Sequence, residues 1–190
     1  VARSTATAER RLRFALLAGS MTFFVSGCSA VNEEGKKPAA EVRSVEEAKN
    51  QARQLSSQIL DAMKLAGQTT PLGPGVSRCG EDSDHTYRIR HPWSVWGVPE
   101  ADMEKAMERL RSELPQKGWK VRKYERDTSS AGNLELIADS AEFKFSVDIT
   151  FMDGRRSKSD QHSTNKTSGI KISLVSACYK IPDGKTFDEI

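Results

Sequence analysis

Hydrophobic positions along this chain recur first at a helical period, then at a strand period, and the switch divides it into elements. Val45, Ala48, Ala52, Leu55, Ile59 and Met63 return every three or four residues, which puts them on one face of a helix. Ser44, with Glu47 three residues on, supplies a capping box at its start, and Gly67 is the expected stop. Its polar side lacks the aromatic and Lys/Arg-rich character of a membrane-surface helix, so the stripe is expected to dock on a domain. After a Gly/Pro-rich stretch, residues 67–78, Tyr87 and Ile89 alternate with Arg88 and Arg90, which predicts a first strand over 85–91 stopped by Pro92.

Pro99 suits the first turn of a second helix carrying Met103, Ala106, Met107, Leu110 and Leu114 on one side, ended by Pro115 and Gly118. Strands follow at 119–125 and 134–138, separated by the turn-rich segment 127–133. Phe143, Phe145, Val147, Ile149 and Phe151 alternate with polar residues, which predicts a fourth strand with one buried face. A polar loop, 155–169, leads to a fifth strand over 170–179 with Ile172, Leu174, Ser176 and Cys178 on a common face. The predicted fold is α+β, a two-layer sandwich with an N-terminal helix followed by β-α-β-β-β-β and a mainly antiparallel sheet.

The N-terminal region has a different character. Arg10, Arg11 and Arg13 precede an uncharged run from Phe14 to Gly27, too short to span a bilayer and typical of a processing segment. The Arg10-Arg11 pair hints at twin-arginine export, but Arg13 stands where that signal wants an apolar residue, so the general secretory route is expected. Val25-Ser26-Gly27-Cys28 resembles the lipobox of bacterial lipoproteins, in which small residues precede a cysteine that receives diacylglycerol. The resemblance implies cleavage after Gly27 and a lipidated Cys28. The expected organisation is a signal peptide over 1–27, a flexible tether over 28–43, one domain over 44–182 and a C-terminal tail over 183–190.

Charge supports that division. The whole chain carries a net +3, and residues 1–27 alone hold four arginines against one glutamate, which leaves 25 basic and 25 acidic residues beyond them. A neutral domain with interspersed charges lacks the electrostatic footprint of a nucleic-acid binder, so no nucleic-acid partner is expected. Of the three cysteines, assigning Cys28 to lipid leaves Cys79 and Cys178 to pair in an oxidising compartment. Closing a loop of about 100 residues would stabilise the fold by roughly 4 to 5 kcal/mol in the chain-entropy model. The bridge also favours the first strand beside the fifth, a sheet order 1-5-4-3-2 of the kind found in TATA-binding-protein-like sheets. The order is not forced, because the six residues from Cys79 to His85 can reach about 20 Å.

Candidate chemistry is sparse. Asp82-x-Asp84 suggests calcium, yet an EF-hand loop counted from Asp82 would need Gly at its sixth position and Glu at its twelfth, and neither is there. His85, His91 and His162 stand without a Gly-x-Ser-x-Gly elbow, so no catalytic residue, metal or cofactor is expected. Lys117, Lys120, Arg122, Lys123 and Arg126 are interleaved with Trp119, Val121 and Tyr124 and read as the solvated face of a strand. Trp93 and Trp96, on an expected strand-to-helix connection, are either a recognition knob or a cap on the open end of the core.

Taken with the lipobox, the segments Cys79-Gly80-Glu81-Asp82, His91-Pro92-Trp93-Ser94, Leu114-Pro115 to Gly118-Trp119-Lys120 and Ser176-Ala177-Cys178-Tyr179 resemble those of uncharacterised actinobacterial lipoproteins. The similarity covers about 44–182 and implies a cell-envelope location with no assigned activity. Two function classes follow. The first is a non-catalytic, membrane-tethered module that binds an envelope protein, polymer or small ligand. The second is an envelope hydrolase.

Overall fold

Helix α1, Val45–Met63, begins as its capping box dictates: the Ser44 side chain accepts from the Glu47 backbone N–H, and the Glu47 carboxylate accepts from that of Ser44. A computed structural model describes residues 40–71, 73–156, 167–182 and 184–190 of the chain. α1 stops three residues before the expected glycine, at Lys64, which takes the left-handed conformation (φ 51°) and donates its N–H to Asp61 O. Gly67 serves a different need. A Cβ there would lie 2.6 Å from Trp96 O and 2.9 Å from Val95 Cγ1, so only glycine lets the chain pass this close to its neighbour.

Two short strands follow, β2 (Gln68–Thr69) and β3 (Gly75–Arg78), and both pair with β4 (Thr86–Trp96). β4 corrects the expected stop at Pro92, because it runs on through the proline to Trp96. Ser94 donates its N–H to Thr70 Oγ1 and accepts from the Thr70 N–H, each at 3.2 Å, so the even-numbered residues of β4 direct their backbone polar groups toward β2 and β3. β3 pairs as far as Arg90 and β2 starts at Val95. The nitrogen of Pro92 faces the interval between them, where no donor is required.

Helix α2, Glu100–Glu113, has Pro99 as its N-cap and runs into a 3-10 turn, Leu114–Lys117, closed by Gly118 at φ 82°. Strands β5 (Lys120–Arg126), β6 (Leu134–Ser140), β7 (Phe145–Met152) and β8 (Gly169–Ser176) complete the long strands, and β9 (Tyr179–Lys180) follows. Phe143 falls outside the strand predicted for it. The β6–β7 turn occupies 141–144, with Lys144 left-handed at φ 56°, and the Phe143 ring packs on Trp119 at 6.1 Å.

The described residues form a mixed α+β fold with helices α1 and α2 and a mainly antiparallel sheet ordered β1-β9-β4-β8-β7-β6-β5, where β1 is Glu41–Val42. β1 pairs parallel with β9, so the domain takes in residues expected in the tether. Arg43 secures the junction: its N–H donates to Lys180 O, its carbonyl accepts from Tyr87 Oη, and its guanidinium lies 4.7 Å from the centre of the Tyr179 ring. One hydrophobic cluster joins both helices to alternate strand residues, among them Ile59, Met103, Leu110, Ile89, Leu136, Ile149 and Leu174.

The fifth expected strand is broken. Arg90 faces Val175 and Tyr87 faces Tyr179, so the 175–179 side carries one residue more than β4 between the same rungs. That bulge switches the buried parity from Ser176 to Tyr179. It moves Cys178 off the inward face expected for it. Within the bulge, the Ile89 N–H finds Ser176 Oγ at 2.9 Å in place of a ladder carbonyl. At the other end, residues 184–190 pack back on the domain, with Phe187 donating its N–H to Asp84 O and Asp188 pairing with Arg78 at 2.8 Å.

Candidate functional site

Cys79 and Cys178 form the disulfide, with Cα atoms 5.7 Å apart. Cys79 is buried, and Arg88 on β4 directs its Nε–H to Cys79 Sγ at 2.8 Å. Cys28, the signal peptide, most of the tether and His162 lie outside the described residues. Asp82 spends a carboxylate oxygen on His85 Nδ1 at 2.8 Å, and Asp84 pairs with Arg78, so the two acids turn toward neighbours in the same turn region. In the basic cluster, Lys123 pairs with Glu135 at 2.7 Å and Arg122 with Asp139 at 3.4 Å.

The two tryptophans separate. Because β4 extends to Trp96, both lie on a strand, where residues three apart point to opposite faces. Trp93 belongs to the core at 7% exposure, and Trp96 is half-buried on the other side. They cannot form one knob.

The inner face of β4 contributes instead to a cleft of about 360 Å³ between β4, α1 and the chain after β2. α1 supplies Arg53, Ser56 and Leu60, β4 supplies His91 and Trp93, and Thr70 and Pro71 form a wall. Ser56 and His91 are 6% and 8% exposed, and the Ser56 hydroxyl shares a hydrogen bond of 2.7 Å with His91 Nδ1. The local sequence explains both placements. Ser56 follows Ala52 by one helical turn on the buried side, and His91 continues the inward alternation of Tyr87 and Ile89.

Trp93 packs beside His91 with ring centres 6.5 Å apart. Its indole N–H is buried and has no hydrogen-bond partner among the described residues. Among the described residues lining the cleft none is acidic, and Arg53 brings a guanidinium, held by Asn50 and more loosely by Glu46 at 3.3 Å. The arrangement offers hydroxyls, an imidazole and an apolar wall to a small guest. A hydroxyl on an imidazole is also the first half of a nucleophile-and-base pair.

The sequence singled out His91 only as one of three histidines without a nucleophile motif, and it passed over Ser56. Parity along β4 and the helical repeat along α1 each pointed inward at these residues, but nothing in either pattern says that they meet. No family model, curated protein or solved structure matches the chain.

Proposed function

We propose that this protein is an exported lipoprotein, tethered through Cys28 to the outer face of the cell membrane, whose domain is a non-catalytic binding module of the cell envelope. Val25-Ser26-Gly27-Cys28 and the neutral charge of the following chain support the location, and the resemblance to actinobacterial lipoproteins agrees with it. We read the domain as a two-layer sandwich with its five long strands in the order 1-5-4-3-2 beneath a layer of two helices. The observation that carries the binding function is the cleft at Ser56, His91 and Trp93. It combines an apolar wall with a few convergent polar groups, the usual composition of a ligand pocket.

The hydrolase reading keeps one observation in its favour, the 2.7 Å contact between Ser56 and His91. Native mass spectrometry of the full chain extracted from envelopes, beside a Leu60→Trp variant that fills the cleft, separates the readings. A small adduct on the native chain that the variant lacks supports the binding module, and identical ligand-free masses overturn the cleft as its site. Covalent labelling of Ser56 by a fluorophosphonate would replace the binding module with the hydrolase.

A further inference from the structure

On the face of the sheet opposite the cleft, three cross-strand rows of β4, β8 and β7 lie side by side, next to a fourth made of Arg90, Val175 and Ser146. Trp96, Gly169 and Met152 form the first, Ser94, Lys171 and Thr150 the second, and Pro92, Ser173 and Asp148 the third. These residues alternate with the core positions of β4, β8 and β7, so they point away from the cluster that holds both helices. The second and third rows, with Thr70 as a side wall, enclose a groove of about 530 Å³. Trp96 lies one row beyond it, next to a glycine that puts no side chain beside the indole.

The chemistry of this groove is balanced. Among the described residues that line it are one carboxylate, Asp148, and one ammonium, Lys171, on adjacent strands, so the charge of this lining sums to zero. Thr70, Ser94, Thr150 and Ser173 add hydroxyls, each able to donate and to accept. Thr150 already donates to Asp148 Oδ1 at 3.2 Å, and Asp148 is desolvated enough that its carboxyl is held above the usual range. An anion would meet Asp148 and a cation would meet Lys171. A neutral guest with alternating donors and acceptors meets neither penalty, and Trp96, one row beyond the groove on the same face, supplies an indole of the kind that suits the C–H face of a sugar ring.

We propose that the outer face of β4, β8 and β7 is a subsite for a neutral, pyranose-based glycan, with one ring against Trp96 and the next hydroxyls in the groove of Ser94, Asp148, Thr150, Lys171 and Ser173. The groove shares Thr70 and Trp93 with the cleft at Ser56 and His91, but Trp96 and Ser173 line only the outer face. Its loss leaves that cleft intact, and the two readings fail independently.

The test titrates the full chain in detergent with cellohexaose, maltohexaose and laminarihexaose, following the indole N–H of Trp96 by NMR and affinity by calorimetry. Saturable binding of at least one glycan, with shifts at Trp96, is the expected result. Trp96→Ala and Ser173→Arg should each weaken it at least tenfold with cooperative melting retained. Ser173 is exposed, so its arginine variant fills the groove without disturbing the core and decides alone if Trp96→Ala fails to fold. No binding of any of the three glycans, binding insensitive to Ser173→Arg, or tighter binding of inorganic polyphosphate in the same groove would overturn the proposal.

Discussion

Ser56 on α1 and His91 on β4 stand 35 positions apart in the chain and meet at 2.7 Å, a polar contact set between a helix and the sheet it covers. Both are more than nine-tenths buried, so each desolvates a group that the other satisfies. Ser56→Ala removes a hydroxyl from a buried imidazole nitrogen and should cost about 1 to 3 kcal/mol in urea unfolding. Combined with His91→Phe, the loss should be smaller than the sum of the single changes, because both delete the same contact. Additive losses would show that the two side chains are energetically independent.

Reducing the Cys79–Cys178 disulfide releases a loop spanning a sequence separation of 99. In the chain-entropy model such a loop is worth about 4 to 5 kcal/mol. The double variant Cys79→Ser, Cys178→Ser should therefore unfold at much lower urea than the oxidised protein and should match the native protein under dithiothreitol. Equal midpoints with and without reductant would show that the bridge contributes little.

Long periodic elements were legible in the sequence, and short or interrupted ones were not. The stripe from Ala48 to Met63 and the alternation from Phe145 to Phe151 each repeat often enough to specify a face. β1, β2 and β9 are two residues each, too short for any period, and β3 begins at a glycine. Pro92 misled because its effect depends on which side of β4 lacks a partner, a tertiary fact. The bulge at Ala177-Cys178 is likewise invisible to a strict alternation, which carried Cys178 onto the wrong face. The Ser56 and His91 contact follows from the rotation of α1 over the sheet, which neither segment encodes alone.

Two carboxylates should respond to pH with opposite signs. Asp153 is 5% exposed, and the Arg155 guanidinium bonded to it holds its carboxyl below the usual range. Its contribution is present above the unfolded-state value and is lost as pH falls through the folded one. Burial raises Asp148, so its ionised form is a liability at neutral pH that disappears as pH falls through its folded value and then the unfolded one. Asp148→Asn should therefore raise the melting temperature at pH 7 and have no benefit in acid, whereas Asp153→Asn should lower it at pH 7 and lose its effect in acid. Melting curves from pH 3 to pH 7 check both signs.

Lipidation has a single-residue test. Cys28→Ala should abolish incorporation of radiolabelled palmitate and leave the chain as uncleaved precursor or release it from the membrane. An unmodified Cys28 in the mass spectrum of the native mature protein would remove the anchor and the location derived from it.

The final prediction uses the separation of the two tryptophans by the pleat of β4. Trp93 sits in the core, so Trp93→Ala should cost about 3 to 5 kcal/mol, the range for emptying a buried aromatic site. Its indole N–H has no hydrogen-bond partner among the described residues, which makes the polar part of the ring a burden. Trp93→Phe deletes that N–H along with some volume, so it should cost far less than the alanine change. Trp96 is half-buried on the opposite face, and Trp96→Ala should shift stability by about 1 kcal/mol or less, as substitutions outside the core usually do. Chemical denaturation of the three variants measures all these terms. If Trp96→Ala proved as costly as Trp93→Ala, the outer indole would be a structural element, and a tenfold loss of glycan binding in that variant could no longer be assigned to a missing contact.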